Sequence, residues 1–562
     1  MMAFLIFKSF NMNTLVKSLP PWFCSAMARN LPLLAGGYSP QMSAKMEQNS
    51  ALSSGPGRPS VTLWLGGTRA ALAPTPWGWL CALTVIATVL RAIALNQQLW
   101  FDEIVALVNS VRMPLGVILT TYTSQNQHTL YSILARGSIF VFGEHPWTLR
   151  LPAVMFGVAS IPALYSLGRL VTAGREALLA AALLVVSYHH VWFSQNARGY
   201  TAMLFWTLLA TYLFLRGVQG AGYRIWIAYG IVMTLGLYTH LTMSFVAVSH
   251  ALIYLWLVRA CIRNRNGLPR NVWLPLLGFL LTGLLTLALY APLLPQLLAH
   301  TVVQNGPAIH WEWKNPLWLA LATLRGLRIG AGGSLLVVVT AGLIAFTGLA
   351  SYWRQDRHLV GVLLLPVLVT AVVMLALEHN LWPRFFFFAI GFAFLLLVRG
   401  AMVWGEQGAR LVGRSAPAGV RWGTVLVALT VVGSAWSLPT AYRYPKQDFL
   451  GAMRLVDAQR QPSEPVVVVG LSALPYQNYY RRDWRAVASY EELESVRSQA
   501  KRTWLVYTLP VYLKARYPDI WNGIQTEFTT VQVFRGTLGD GEVYVCQAPA
   551  VREQNLAKRR EP

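Results

Sequence analysis

The chain has 562 residues, of which 55% are hydrophobic and only 12% are charged, and its formal net charge is +24. So much apolar surface exceeds what a water-soluble domain buries, so the sequence predicts a protein that lies mostly in lipid. A nucleic-acid-binding protein would gather its basic residues in one domain. Here the arginines occur singly or in small groups between long apolar segments. That distribution is typical of membrane topology signals, and it argues against nucleic acid as a partner.

Residues 1–75 contain no apolar run long enough to cross a bilayer, and Ser, Gly, Pro and Met are frequent in them. They are predicted to form a disordered cytosolic extension, or else to precede the start of the mature chain. The cysteines lie far apart in the sequence and show no Cys-X-X-Cys spacing, so neither a disulfide framework nor a zinc site is expected.

Apolar runs long enough for a hydrocarbon core of about 30 Å recur between residues 76 and 442. They predict an all-α polytopic membrane bundle of about eleven transmembrane helices. The predicted spans lie near 76–96, 148–168, 177–194, 201–216, 225–239, 241–258, 272–294, 334–353, 359–377, 385–403 and 422–440.

The apolar segment 129–143 is short and carries Arg136 near its middle, so it either spans the membrane or lies on its surface. The positive-inside rule decides between the two. If the segment does not span, the arginine-rich connections all fall on the cytosolic side. We therefore predict a juxtamembrane helix on the outer surface, with the N-terminus of the chain inside and the C-terminus outside.

Residues 443–562 lose the long apolar runs and are predicted to form a small extracytoplasmic α/β domain. PVVVVG at 465–470 and RTWLVYTLP at 502–510 have the pattern of buried strands. VQVFRGTLGDGEVYVCQ is typical of a hairpin that turns at Gly539–Asp540–Gly541.

The first candidate for chemistry is the acidic pair of LWFDEIVAL, directly after the first predicted span. Asp102 and Glu103 are adjacent carboxylates between apolar residues at the membrane surface. A desolvated carboxylate can have a raised pKa and act as a general base. An acidic pair is equally expected at the N-terminus of an interfacial helix, where it favours the helix dipole. The residues alone favour neither of these two interpretations over the other.

Other predicted outer turns each offer an imidazole, a carboxylate or a guanidinium group. Each has a structural interpretation: a hydrogen-bonded histidine, a snorkelling arginine or an interfacial side chain. Because the positive-inside rule disfavours outer arginines, an anion-binding role is favoured for the arginines found there. Ionisable groups that converge at one membrane face indicate a functional site. The residues concerned are His128, Arg198, Tyr200, His240, Glu378, His379 and Arg384.

At these residues the sequence resembles the polytopic lipid-linked glycosyltransferases of the C-type fold, specifically bacterial relatives of protein O-mannosyltransferases and the aminoarabinose transferases (glycosyltransferase family 39-like). LWFDE resembles the family's acidic motif. NQHTLYSILARGSIFVFGEHPWTLRLPAVMFG is similar to its His-Pro-Pro-Leu-Tyr and Arg-Leu-Pro stretch, with Thr129 where the prolines stand. WFSQNARGYTAMLFWTLLATYLFLR is similar to its second outer loop. Two weaker similarities are WPRFFFFAIGFAFLLL and YPKQDFLGAMRLV.

The resemblance implies transfer of a sugar from a polyprenyl-phosphate donor to a glycan, lipid or protein acceptor, with inversion at the anomeric carbon. Asp102, or else Glu103, would be the catalytic base. His128, Arg198, Tyr200, His240 and Arg384 would bind the donor's phosphate or sugar. The enzyme would lie in the bacterial cytoplasmic membrane, with its active site facing the periplasm or exterior.

Three alternatives stay open at this point. A divalent metal could be held by the carboxylates and histidines, although their spacing is not diagnostic. A lipid-linked sugar flippase or secondary transporter would be expected to show inverted repeats and polar residues near the midplane, and neither pattern is evident. A non-catalytic scaffold subunit would not need a carboxylate near Arg198.

Overall fold

The computed structural model describes residues 76–122, 127–263, 271–303, 315–377 and 379–549. The predicted extension at 1–75 and Glu378 lie outside the described residues. Helices make up most of the rest, and their labels here run in chain order. Up to Arg443 they are α1 (Trp77–Ala92), α2 (Phe101–Ala106), α3 (Leu115–Thr120), α4 (Thr129–Phe142), α5 (Pro146–Val171), α6 (Gly174–Val186), α7 (Tyr188–Ser194), α8 (Tyr200–Val218), α9 (Tyr223–Thr239), α10 (Met243–Arg263), α11 (Leu274–Tyr290), α12 (Leu294–Val303), α13 (Pro316–Gly330), α14 (Leu335–Gln355), α15 (Arg357–Ala376), α16 (Ile390–Leu411), α17 (Ala416–Trp436) and α18 (Leu438–Arg443).

Eight helical segments of the described chain are long and apolar enough to cross a membrane. They are Pro146–Val171, Tyr200–Val218, Met243–Arg263, Leu274–Ala299, Leu335–Gln355, Arg357–Ala376, Pro383–Leu411 and Ala416–Arg443. The pair α6 and α7, bent by 59°, is a ninth candidate. The protein is therefore an integral multi-pass membrane protein, as its composition predicts. The predicted spans near 76–96 and 225–239 coincide with the shorter helices α1 and α9.

The segment 129–143 forms helix α4, which has 14 residues. At 1.5 Å per residue such a helix is about 21 Å long, less than the hydrocarbon core of about 30 Å. Its last turn exposes Phe140 by 90%. The short length favours the surface position that the positive-inside rule predicts.

The helices approach closely where glycines face each other. A Cβ on Gly348 of α14 would collide with the carbonyl oxygen of Leu396, and one on Gly400 of α16 would collide with that of Ile344. Small residues at such crossings allow backbone-to-backbone contact, which drives helix association in lipid.

A buried arginine stabilises the bend between α6 and α7. Arg91 of α1 donates to the carbonyl oxygens of Leu184 and Val185 at 3.2 Å each, and to Ser194 Oγ at 3.2 Å. A bend frees the carbonyls of the last helical turn, and in a membrane these need a partner. Arg91 supplies it and so fixes the direction of α7, which leads into the loop at 195–199.

The elements after Arg443 are α19 (Phe449–Gln459), β1 (Val466–Val469), β2 (Arg485–Val487), α20 (Tyr490–Ser498), β3 (Arg502–Thr508), α21 (Pro510–Arg516), α22 (Pro518–Glu527), β4 (Thr529–Phe534) and β5 (Val543–Pro549). The sheet order is β2-β1-β3-β5-β4. β1 pairs in parallel with β2 and β3, and β5 is antiparallel to β3 and β4. The two predicted buried strands and the predicted hairpin are confirmed. β2 has only three residues, too few for a recognisable pattern.

One face of this sheet shares a hydrophobic cluster with the segment that follows α1. Leu99, Ile104 and Leu107 are buried in the same cluster as Trp504 and Val543. The sheet is thus joined to the predicted first outer loop by a continuous apolar contact. The physical consequence is that this domain helps to hold helix α2 in place.

Candidate active site

Helix α2 places the two carboxylates of the acidic pair in different surroundings. Glu103 is the third residue of the helix, and its Oε2 accepts from the backbone N–H of Trp100 at 3.3 Å, which caps the first turn. Because successive helical residues are rotated by about 100°, Asp102 projects in another direction.

Glu103 is fully buried and fully engaged. Arg150 donates Nε to Oε1 at 2.7 Å and Nη2 to Oε2 at 2.6 Å, and the N–H of Ala197 donates to Oε1 at 2.7 Å. Burial opposes the charge of this carboxylate, but Arg150, Lys446 and the hydrogen bonds outweigh it and hold the pKa of Glu103 below its ordinary value. Glu103 therefore ties the helix of Asp102 to the loop that carries Arg198.

Asp102 keeps a partly accessible carboxylate, with 9% of its side chain exposed. Arg384 donates Nη1 to its Oδ2 at 2.9 Å. The guanidinium of Arg384 also lies 4.9 Å from the ring centre of Trp382, which restrains it by a cation–π contact. Among the described residues, Oδ1 of Asp102 accepts no hydrogen bond, so one carboxylate oxygen is available to a substrate.

The loop at 195–199 brings Arg198 beside His128. The N–H of Gly199 donates to Nδ1 of His128 at 2.7 Å, and Nη2 of Arg198 lies 3.2 Å from Nε2 of the same ring. A side chain at 199 would not fit, because a Cβ there would lie 2.8 Å from Thr239 and 2.9 Å from Nδ1 of His128. Glycine is thus required for this close approach.

Two histidines, a tyrosine and the arginines form one cluster. The ring of His128 lies 4.7 Å from that of His240 and 5.2 Å from that of Tyr200. Burial, with Arg198, His240 and Arg384 nearby, holds the pKa of His128 well below its usual range. Burial, with Arg198 and Arg384, lowers the pKa of His240 to about 3. Both rings are therefore neutral at physiological pH.

The hydrogen bonds fix which nitrogen of each neutral ring carries the proton. Nδ1 of His128 accepts from Gly199, so its proton is on Nε2, which faces the Nη2 donor of Arg198. Nδ1 of His240 accepts from the N–H of Thr242 at 3.2 Å, which places its proton on Nε2 as well. Nε2 of His128 and Nη2 of Arg198 are thus both donors, and they lie 3.2 Å apart. An anionic oxygen beside them could accept from both.

Two further polar groups at this place are buried. The hydroxyl of Tyr200 and Nε of Arg384 make no hydrogen bond within the described residues. A group of this kind costs free energy when it is left without a partner. The cluster therefore presents several donors, and the carboxylate of Asp102, to a ligand.

A cleft leads into the cluster from the side of α2 and α4. The polar walls of this narrow cleft come from hydroxyl, amide, imidazole and guanidinium groups. No carboxylate lines it within the described residues. The lining residues that carry these groups are Asn109, Ser110, Gln127, His128, Ser132 and Arg198.

The described residues contain no group of three His, Cys, Asp or Glu side chains arranged to hold a metal ion. Of the ligands considered from the sequence, Glu103 is occupied by Arg150, and Nδ1 of both His128 and His240 already accepts a backbone N–H. Of the four, Asp102 alone keeps a carboxylate oxygen that accepts no hydrogen bond within the described residues.

Six of the seven residues predicted to be catalytic or donor-binding meet in this cluster: Asp102, His128, Arg198, Tyr200, His240 and Arg384. The seventh, Glu103, lies behind it and is bonded to the N–H of Ala197. Sequence reasoning assigned no role to Arg150, although its place at the outer end of the predicted span 148–168, in the Arg-Leu-Pro stretch, was a signal. It also assigned no role to Lys446 and Gln447, although both lie in YPKQDFLGAMRLV, one of the two weaker similarities. Burial, with Arg150 nearby, lowers the pKa of Lys446 to about 7, and Glu103 opposes this.

Residues 129–298 match the family model described as dolichyl-phosphate-mannose-protein mannosyltransferase. This confirms, for that segment, the resemblance to protein O-mannosyltransferases that the motifs indicate. No curated protein sequence matches the chain.

Solved structures with a similar chain course include the following three. ArnT from Cupriavidus metallidurans bound to undecaprenyl phosphate is 13% identical, with 84% of this chain and 98% of that chain covered and a TM-score of 0.46. The archaeal oligosaccharyltransferase AglB from Archaeoglobus fulgidus, in complex with an inhibitory peptide and a dolichol-phosphate, is 13% identical over 84% and 74%, with a TM-score of 0.47. The Pmt1–Pmt2 complex of S. cerevisiae, bound to the sugar donor, is 16% identical over 42% and 36%, with a TM-score of 0.35.

Proposed function

We propose that this protein is a membrane glycosyltransferase that moves a sugar from a polyprenyl phosphate to an acceptor hydroxyl or amine. One observation carries the proposal: a carboxylate with an available oxygen lies beside a buried cluster of guanidinium, imidazole and hydroxyl groups. The similarity of residues 129–298 to a mannosyltransferase family supports it. A flippase has no need of a carboxylate at such a place.

We also propose the predicted topology of eleven spans, with α4 and residues 443–562 on the outer face. The site draws its residues from five turns that the positive-inside rule assigns to that face, which supports the assignment. The enzyme would lie in the bacterial cytoplasmic membrane, with the donor's tail in the bilayer and its phosphate at the periplasmic surface.

In this proposal Asp102 is the catalytic base. Its Oδ1 takes the proton from the acceptor's hydroxyl or amine as the acceptor's oxygen or nitrogen attacks the anomeric carbon. The bond between the anomeric carbon and the phosphate oxygen breaks in the same step. Arg384, bonded to Oδ2, keeps the carboxylate oriented. A single displacement of this kind inverts the anomeric centre.

The leaving polyprenyl phosphate acquires a second negative charge, and the donor cluster would stabilise it. Arg198 supplies a guanidinium fork, and His128 and His240 supply neutral Nε2–H donors. Such preorganised donors stabilise charge as it develops without themselves changing protonation state. Asn109 and Ser110, which line the cleft beside the cluster, would offer neutral hydrogen bonds to the sugar.

Glu103, the second carboxylate predicted for catalysis, receives a positioning role. Its two oxygens are held by Arg150 and by the N–H of Ala197, so it has no free oxygen with which to accept a proton. It would instead fix the distance between Asp102 and Arg198.

The proposal is tested by replacing Asp102 with Asn, which keeps the size and removes the basicity. The expected result is a fall in transfer of roughly 10²–10⁴-fold, measured in membranes with radiolabelled polyprenyl-phosphate mannose and endogenous acceptors. Asp483→Asn, at an exposed position of the C-terminal domain, is the matched control. Full transfer by the Asp102 variant would refute the assignment. Movement of the label across vesicles without consumption would establish a flippase.

A further inference from the structure

The segment that joins α18 to α19 contains a short stretch, residues 446–448, that is here named the strap. Gln447 at its centre is fully buried. Its Oε1 accepts from the N–H of Phe101 at 2.9 Å. Its Nε2 donates to Thr508 Oγ1 at 3.2 Å and to the carbonyl oxygen of Gly541 at 3.1 Å. A single side chain therefore bridges the first residue of α2 and the sheet.

The two neighbours of Gln447 extend the same connection. Nζ of Lys446 donates to the carbonyl oxygen of Gln195 at 2.5 Å and lies 5.3 Å from the ring centre of Trp192. Oδ1 of Asp448 accepts from Nε2 of Gln98 at 2.7 Å. The strap thus contacts both segments of the site: the one that precedes Asp102 and the loop that carries Arg198.

The strap docks where a parallel sheet ordinarily binds a ligand. β1 lies between β2 and β3, so the carboxyl ends of β1 and β3 form the switch point at which open α/β sheets bind their ligands. Here Ser472 bonds the ends of both strands, donating to Val469 and Val506 at 2.8 and 2.9 Å. Thr508, the last residue of β3, contacts Gln447. Thr508, at the carboxyl end of β3, therefore binds the strap.

We propose that Gln447 is a positioning residue of the active site and that the C-terminal domain, acting through the strap, holds Asp102 and Arg198 in register. The positioning role rests on the proposed function, whereas the exchange experiment that tests the strap does not depend on it. Gln447 contacts the backbone N–H of the residue before Asp102, and Lys446 contacts the backbone three residues before Arg198. A shift of the strap would therefore move the base relative to the phosphate site, a change of the kind that lowers turnover.

The test is hydrogen–deuterium exchange of the full-length protein in lipid nanodiscs. Gln447→Met keeps the size of the side chain and removes all three hydrogen bonds. A hydrogen bond of ordinary strength changes an opening equilibrium roughly two- to ten-fold, so amides at 99–106 should exchange faster by about that factor. Amides of β3 and β5 should be unchanged. Gln499→Met, at an exposed position of the same domain, should leave both regions as in the wild type.

Unchanged exchange at 99–106 in folded Gln447→Met protein would overturn the proposal. If that variant does not fold, Thr508→Val serves in its place. It removes the hydroxyl that accepts from Gln447 and that also donates to the carbonyl oxygen of Glu542. Exchange at 99–106 should then be faster than in the wild type, by a smaller factor than in Gln447→Met. In transfer assays with polyprenyl-phosphate mannose, the strap variants should lower kcat and leave KM unaltered. If Asp102→Asn retained transfer, the proposed function would fall, whereas the exchange result would still decide the role of the strap.

Discussion

The ion pair between Glu103 and Arg150 offers a sharp test of how the site is held together. Both side chains are buried, with 0% and 1% exposure, and they form two hydrogen bonds of 2.6 and 2.7 Å. Glu103→Gln keeps the shape but leaves the Arg150 charge without its counter-ion. Removing one partner of a buried pair costs about 3–5 kcal/mol of folding free energy. We expect a loss of that size in denaturant titrations followed by tryptophan fluorescence in detergent micelles.

The chain provides a matched control in Glu144 and Arg112. This pair has the same two-bond geometry, at 3.1 and 2.7 Å, but its side chains are 41% and 31% exposed. Solvent-exposed pairs contribute about 0–1 kcal/mol, so Glu144→Gln should change stability little. Equal losses in the two variants would refute the argument that burial makes the pair at Glu103 costly to break.

The variant Glu103→Gln also allows a prediction about the pH dependence of stability. The pKa of Glu103 is lower in the folded protein than its ordinary value of 4.5. Its charge therefore stabilises the fold above pH 4.5, and this contribution is lost as the pH falls through the folded pKa. The stability difference between wild type and Glu103→Gln should hence narrow below pH 4.5. A constant difference down to acid denaturation would contradict the assignment.

Two further outcomes are expected. Gly199→Ala would place a Cβ 2.9 Å from Nδ1 of His128. A displacement of His128 by about 1 Å should lower the transfer rate roughly 10²-fold. Gly137→Ala is the control, because a Cβ there meets nothing within 4 Å, and it should match the wild type in the same assay. The pKa of His240 is lowered to about 3, and that of His128 also lies far below its usual range. Both rings therefore stay neutral from pH 5.5 to 7.5, and the transfer rate should show no histidine titration in that interval. A step in the rate near the ordinary histidine pKa would contradict the role of the rings as neutral donors.

The sequence alone determined the class of the protein and predicted most of the residues that meet in the candidate site. Apolar runs separated by arginines predict a membrane bundle because lipid forces backbone groups into helices. An acidic pair and several cationic turns predict a functional face because charges are costly near lipid. Local patterns also predict two buried strands and the hairpin of the C-terminal domain. Each of these inferences depends only on nearby residues or on overall composition.

Only the tertiary structure decided which carboxylate is available. Asp102 and Glu103 are adjacent and chemically alike, and the sequence left both as candidates for the base. The choice depends on Arg150, 47 residues away from Glu103, which engages both oxygens of that side chain. The strap is the same kind of case, since Gln447 reaches Phe101 across 346 residues. Long-range hydrogen bonds of this sort leave no periodic trace in a sequence, because a single glutamine or arginine is compatible with many surroundings until the fold supplies its partners.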